Sequence, residues 1–333
     1  MPFCPGFIFE ITATRSVRPD RRGLRKPHIC CYSPHNLKAV RTSDKSSRTD
    51  FGYAELFIEV CPSPSDDFFT DPPPDADPSS RSSHEFRARS SSPEERVQKY
   101  DNFGQHVAYV VEIFARQHRA FLFTIAMSGS LARLFRWDRA GCVVSEAFDI
   151  RVHPDILYEF LWRFSRTSYA GRGHDLSVQR ALPTEETLFR DAITEYVRSQ
   201  IEPAENLEKA VHQHYAKEHV YVAEILHQDF TALQENTRRF IFSRPVVSPL
   251  SLVSRGTRGY WAVDASTGKV VFLKDSWRDA SSEEVEGATL RRLLDVGVRY
   301  VPSLVWHGDV PRHYPDSSRK LSKDSHIFVP VQY

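Results

Sequence analysis

Apolar residues recur along the chain with two different periods, and the changes of period mark the predicted elements. Residues 53–60 alternate apolar and polar positions as a half-buried strand does. Ser92-Pro93 predicts a helix start, and the apolar residues after it are spaced to share one helix face. Over 119–150 the period returns to two, which predicts an antiparallel meander of three strands. Amphipathic helices are predicted over 153–168 and 184–200.

These elements predict a first domain of the α+β class over 51–200. A second region, over 215–310, begins with two strand-like segments and continues into a glycine-containing turn. We therefore expect a two-domain α+β protein in which the second domain is built mainly of antiparallel strands.

The turn of the second domain is followed by residues that suggest chemistry. Gly256 and Gly259 fall in this predicted turn, where glycine lets the backbone approach a ligand closely. Lys274 lies on the returning strand after a Ser-Thr-Gly-Lys hairpin, and Glu286 lies on the next predicted helix. The order of these parts predicts a lysine that can contact phosphate and a glutamate that can hold the lysine in place.

Composition and charge restrict the functional classes. Lys and Arg number 44 against 43 Asp and Glu, so the formal net charge is +1, which argues against a uniformly basic nucleic-acid-binding protein. No window approaches the ~18 consecutive apolar residues of a membrane span, and the N-terminal residues lack the pattern of a signal peptide. We expect an intracellular protein, in cytoplasm or nucleus, without membrane contact. Five scattered cysteines argue against a disulfide framework or a structural zinc site.

Three segments are expected to lack regular structure. Residues 1–50 carry ten Lys and Arg against four Asp and Glu, which predicts a disordered basic tail, with a nucleic-acid contact as the alternative. Residues 62–92 are rich in Pro, Ser and Asp and predict a linker or disordered insertion. Residues 311–333 are expected to form an irregular tail.

Several segments of the chain resemble the fungal-type protein kinase family of filamentous fungi. The resemblance extends over roughly 50–310 and is distinctive in RWDRAG, VFLKDSWR and HGDV. It implies a kinase-like small lobe over 215–310, with a five-stranded antiparallel sheet and one helix. It also implies that Lys274 contacts phosphate, that Glu286 is its partner, and that Gly256 and Gly259 belong to the nucleotide-covering turn. The implied ligand is ATP, with Mg²⁺ only where the nucleotide binds, and complete members would transfer the γ-phosphoryl group to Ser or Thr.

The sequence also departs from the kinase pattern. The turn has two glycines instead of three, and Phe272 stands where kinases generally have alanine against the adenine. No HRD-like or DFG-like segment follows His307-Gly308-Asp309. We therefore expect a truncated kinase that binds ATP weakly, has no catalytic or metal-binding residue and does not transfer phosphate. The alternative function is a non-catalytic interaction or regulatory scaffold whose protein partner is unknown.

A weaker pattern lies in the first domain. Asp50 precedes the strand of 53–60, Glu59 lies near the end of that strand, and Gln105 lies on the following helix. This arrangement is similar to PD-(D/E)XK nucleases, where two carboxylates hold Mg²⁺. Cys61 occupies the lysine position and cannot supply a positive charge. We expect Asp50 and Glu59 to be exposed residues at the edges of the strand. A restriction-endonuclease-like scaffold remains an alternative fold for this domain, and a nucleic-acid-binding remnant a third function.

Overall fold

The computed structural model describes residues 3–12, 26–42, 50–88, 92–201, 206–226, 237–253, 255–279, 286–309 and 324–332. The chain divides into two compact units, Met1–His174 and Asp175–Tyr333. No helix within the described ranges is long and apolar enough to cross a membrane.

Unit 1 contains a mixed sheet and four helices among its described residues. Its elements are β1 Ile8–Ile11, β2 Ile29–Tyr32, α1 Pro34–Thr42, β3 Leu56–Cys61, α2 Pro78–Ser82, α3 Pro93–Arg116, β4 Leu122–Ser128, β5 Leu131–Asp138, β6 Gly141–Val144, β7 Phe148–Asp149 and α4 Pro154–Arg166. The strands lie in the order β1-β2-β3-β4-β5-β6, and β7 also pairs with β5. Strands β3 and β4 are parallel, and the other neighbours are antiparallel.

Helix α3 supplies the crossover that a parallel pair of strands requires. Its start is the predicted one: the Ser92 side chain accepts a hydrogen bond from the Glu95 N–H at 3.1 Å. Along β3 the side chains alternate between two faces. Phe57 packs on His106 and Tyr109 of α3, whereas Leu56 and Ile58 share a core with residues of α4. The two helices therefore cover opposite faces of the sheet.

Two segments expected to be disordered form structure in unit 1. Within 1–50, the described residues form β1, β2 and α1, and β2 pairs with β3. Residues 1–2, 13–25 and 43–49 lie outside the described ranges. The prediction of a disordered tail is therefore wrong for the described part. Hydrophobic residues of β2 join the core of the unit, which gives this segment enough apolar burial to be ordered.

The predicted disordered insertion, 62–92, is also ordered over residues 62–88, and residues 89–91 lie outside the described ranges. Phe68 stacks on Phe103 of α3 with ring centroids 4.3 Å apart. The buried Arg133 of β5 binds Asp67 at 2.8 Å and Asp71 at 2.6 Å. Composition alone missed this because the partners lie 62 and 66 residues away along the chain.

In the described part of unit 2, every pair of neighbouring strands is antiparallel. Its elements are β8 Val178–Arg180, α5 Pro183–Arg198, α6 Leu207–His214, β9 Tyr221–Leu226, β10 Thr237–Val247, β11 Arg258–Asp264, β12 Val270–Asp279, α7 Glu286–Asp295, β13 Ser303–Leu304, β14 Gly308–Asp309 and β15 Asp324–Gln332. The strands lie in the order β13-β15-β12-β11-β10-β9-β8, and β14 pairs with β15.

The expected antiparallel sheet of the small lobe is part of a larger array of eight strands among the described residues. One addition is β15, which pairs with β12 over eight residues, from Phe272 to Asp279. Residues 324–332 therefore form a strand where the sequence predicted an irregular tail. On one face, Phe240, Tyr260 and Leu273 belong to a buried core.

The boundary between the units also differs from the prediction. We expected the first domain to include the helix over 184–200, but this helix, α5, belongs to the second unit. Its Phe189, Ile193 and Val197 pack with Val222 and Val263 of the sheet. A helix with one apolar face joins whichever sheet buries that face, and the helical period does not indicate which sheet this is.

Candidate functional site

Lys274 and Glu286 form a close ion pair in unit 2. Lys274 lies on β12, and its Nζ donates to both carboxylate oxygens of Glu286 at 2.6 Å each. Glu286 is the first residue of α7. The two side chains are 30% and 37% exposed, so the pair can be reached by a ligand. The structure thus brings together the two charged residues that the sequence placed in one site.

The ion pair lines a cavity of about 240 Å³. Most of the remaining wall is apolar and comes from β10, β11, β12, α7 and the segment after α7. The lining residues are Val247, Thr257, Gly259, Phe272, Lys274, Glu286, Leu290 and Pro302. A concave apolar site with a few convergent polar groups is typical of a small-molecule site.

The two predicted glycines lie in different places, and of the two Gly259 lines the cavity. Gly256 lies in the loop before β11 with φ of +51°, a left-handed conformation that favours glycine. Gly259 lies within β11, opposite Lys274, and not in the turn as predicted. A Cβ on Gly259 would lie 2.6 Å from Cζ of Phe272. Gly259 is therefore the glycine whose missing side chain makes room for the Phe272 ring.

An aromatic row continues from Phe272 across the sheet. Phe272 and Trp261 are direct cross-strand neighbours, with ring centroids 5.5 Å apart. Trp261 in turn packs against Tyr196 of α5 at 5.3 Å. The row therefore extends from the wall of the cavity to the helix that covers this part of the sheet.

A buried ion pair lies immediately beside Lys274 and was not predicted. Arg258 and Asp275 are paired across β11 and β12 and are 3% and 0% exposed. Arg258 donates from Nε and Nη2 to Oδ2 of Asp275 at 2.9 and 2.6 Å. Burial alone would lower the pKa of Arg258, but the Asp275 carboxylate raises it. From the sequence, this pair could have been found only through the register of the hairpin. Arg258 precedes Gly259, Asp275 follows Lys274, and the register places the two charged residues opposite each other.

The nuclease-like residues of unit 1 do not form a metal site. Asp50 closes a local turn, with Oδ1 accepting the Gly52 N–H at 2.9 Å; the letters Asp-Phe-Gly at 50–52 are part of this turn. Glu59 is buried, contrary to our expectation, and its Oε1 accepts a hydrogen bond from the Gln105 side chain at 3.2 Å. Burial raises the pKa of Cys61 to about 11, so the thiol supplies no charge at neutral pH. The described residues contain no group of three or more His, Cys, Asp or Glu that could hold a metal ion.

Unit 1 contains a buried charge cluster of its own, formed by Glu55, Arg119 and His174. Glu55 Oε2 lies 2.8 Å from His174 Nε2 and 3.3 Å from Arg119 Nη2. Burial would raise the pKa of Glu55, but the hydrogen bond from His174 and the charge of Arg119 outweigh it and bring the pKa to about 2. Burial, together with Arg119, lowers the pKa of His174 to about 4. The cluster thus holds a carboxylate beside a neutral imidazole at neutral pH.

Comparison with known proteins assigns a family to this arrangement. The sequence model described as fungal protein kinase matches residues 88–328, which is more than half of the chain. Neither the search of curated proteins nor the search of solved structures gave a match. The matched range contains Lys274, Glu286, both glycines and Phe272. By this match, the chain belongs to the fungal protein kinase family.

Proposed function

We propose that unit 2 binds the phosphate groups of ATP at Lys274, with Glu286 holding the lysine in position. The observation that carries this proposal is the pair of 2.6 Å hydrogen bonds from Lys274 to Glu286 at the wall of the cavity. A lysine ammonium has three donors. Two of them serve Glu286, which leaves one to be directed at a phosphate oxygen. By resemblance to the family, the backbone of the loop at Gly256, which has a left-handed conformation, would cover the phosphates.

We further propose that these 333 residues on their own bind ATP weakly and do not transfer its phosphoryl group. Family members that transfer it would pass the γ-phosphoryl group to Ser or Thr, a reaction that needs a base and carboxylates for Mg²⁺. No HRD-like or DFG-like segment follows β14 in the sequence. The acidic residues beside Lys274 are already engaged, Glu286 with Lys274 and Asp275 with Arg258. They do not fit a metal site, so Mg²⁺ would arrive only as Mg-ATP.

A thermal-shift titration with Mg-ATP tests the binding proposal. The wild type, Lys274→Ala and the matched control Lys269→Ala are compared, since Lys269 is an exposed lysine in the turn between β11 and β12. We expect the melting temperature of the wild type and of Lys269→Ala to rise with Mg-ATP, whereas that of Lys274→Ala stays constant. An equal rise in all three proteins, or no rise in any, would contradict binding at Lys274.

The second candidate function is an interaction scaffold, and one surface favours it. Val296, Val298 and Tyr300 follow α7 and are 75%, 44% and 101% exposed. Apolar residues exposed together often mark protein contacts. Farther along the chain, Val305 and Trp306 pack against the buried core instead, and the Trp306 side chain donates to the Ile225 carbonyl at 3.1 Å. A cooperative melt that does not respond to nucleotide would favour the scaffold over the ATP site.

A further inference from the structure

Phe272 shares the wall of the cavity with the residue proposed to bind phosphate. On β12 the side chains alternate, so Phe272 and Lys274 project from the same face of the strand. Both line the cavity of about 240 Å³, together with Val247 and Leu290. A ligand whose phosphate contacts Lys274 therefore meets the Phe272 ring directly beside it.

The Phe272 ring is held in this place by its neighbours. The ring lies over Gly259, and a Cβ added to this glycine would be 2.6 Å from Cζ of the ring. Trp261 meets the ring nearly edge-on, with an interplanar angle of 79°, and Tyr196 packs behind Trp261. Because close packing resists small displacements, moving the Phe272 ring aside would also disturb the contact with Trp261.

The cavity lined by the described residues is small for a whole nucleotide. Pockets for drug-sized ligands are commonly about 300 to 1,000 Å³, and this cavity is about 240 Å³. The apolar wall made by Phe272 and Val247 is the part suited to a flat aromatic base, and the ring already fills space there. What stays accessible is the partly exposed Lys274 with its partner Glu286.

We propose that Phe272 occupies the space a nucleotide base would need, so that ligands at Lys274 are recognised by their phosphate groups and not by the base. The ligand class is the linear polyphosphate anion, for which ATP and inorganic tripolyphosphate are equivalent. This inference rests on the proposed function, since it requires Lys274 to bind phosphate. It makes Phe272 the residue that sets ligand size in this site.

Calorimetric titration of the full chain with magnesium tripolyphosphate and with Mg-ATP, up to millimolar concentrations, tests the inference. In the wild type we expect the two ligands to bind with the same dissociation constant within about threefold. In Phe272→Ala we expect ATP to bind about tenfold more tightly and tripolyphosphate to be unaffected, because the base gains an apolar site. Phe272→Val is the second variant, in case the alanine variant does not fold.

The outcomes separate this inference from the proposed function. Loss of tripolyphosphate binding in Lys274→Ala supports the proposed site, and unchanged binding in that variant refutes both the site and the inference. If Lys274→Ala abolishes binding but the wild type binds ATP at least tenfold more tightly than tripolyphosphate, the base is recognised and the inference alone fails. Equal ATP affinity in the wild type and in a folded Phe272 variant overturns it as well.

Discussion

Arg258 and Asp275 face each other across β11 and β12, nearly completely buried, one register position away from Gly259 and Lys274. Adjacent residues on a strand point to opposite faces. The ion pair is therefore buried on the face opposite to the cavity. Its two charge-assisted hydrogen bonds fix the register of the two strands whose other face carries the proposed phosphate site.

Removing one partner of this pair is expected to destabilise unit 2 strongly. Asp275→Asn or Arg258→Met leaves a buried charge without its counter-charge, which costs about 3–5 kcal/mol of unfolding free energy. Urea unfolding followed by hydrogen exchange at β11 and β12 measures the loss. The exposed pair Arg198–Glu195 on α5, in the same unit, is the matched control, and Arg198→Met is expected to cost less than about 1 kcal/mol. Equal effects at the buried and exposed pairs would contradict this account.

Gly259→Ala should destabilise unit 2 through the Phe272 ring. The added Cβ would lie 2.6 Å from Cζ of Phe272, so the ring must move. We expect a loss of about 1–3 kcal/mol of unfolding free energy, most of which disappears in a Phe272→Ala background when measured as a double-mutant cycle.

The matched control for this substitution is Gly104→Ala in α3. A Cβ on Gly104 meets nothing within 4 Å, so alanine should raise the helix stability by about 0.5–1 kcal/mol. Additive losses at Gly259 and Phe272 would show that the strain lies elsewhere.

Unit 1 is expected to lose stability in mild acid. Burial lowers the pKa of His106 to about 3 and of His174 to about 4, below the usual 6.5. Below pH 6.5 the unfolded chain takes up protons that the folded unit excludes, so stability is complete above that pH and falls as the pH drops towards 4. At pH 5 the His106 contribution alone is roughly 2 kcal/mol. Glu55, whose pKa is about 2, adds a further loss between pH 4.5 and 2.

Hydrogen exchange at β4 and β5 as a function of pH measures this loss within unit 1. His106→Gln keeps a group that can hydrogen-bond to Thr124, the partner of His106 at 2.7 Å, and removes the titration. Its stability should depend less on pH between 6.5 and 4. An unchanged pH dependence in this variant would assign the acid sensitivity to other groups.

Arg133 should hold the 62–88 segment onto unit 1. Replacing Arg133 by Met leaves Asp67 and Asp71 without their shared partner, and we expect limited proteolysis of 62–88 to become about tenfold faster, which corresponds to about 1.4 kcal/mol. Arg116→Met, which breaks an exposed pair with Glu112 outside the segment, is the control and should change the cleavage rate little. Equal cleavage rates in the two variants would mean that the aromatic contacts of Phe68 are sufficient to hold the segment in place without Arg133.

The elements that depend on near neighbours could be predicted from the sequence. The Ser92 cap and the start of α3 were predicted because a serine oxygen meets an amide three residues later. The meander of β4 and β5 was predicted from alternation. The contact between Lys274 and Glu286 could be predicted because the strand of a hairpin and the helix that follows it lie close together in the chain. Only 12 positions separate the two residues.

Contacts between segments far apart in the chain could not be predicted from the sequence and are known only from the tertiary structure. Composition predicted disorder for 62–92, but Arg133 and Phe103 provide partners for that segment. The helical period of α5 did not indicate which sheet would bury Phe189. The burial of Glu59 and the space that Gly259 leaves for Phe272 likewise depend on neighbouring elements. Hydrophobic periodicity and capping residues reflect the preferences of a short stretch of backbone. Burial depends on which faces of helices and sheets pack together, and the residues that determine this packing are spread over the whole chain.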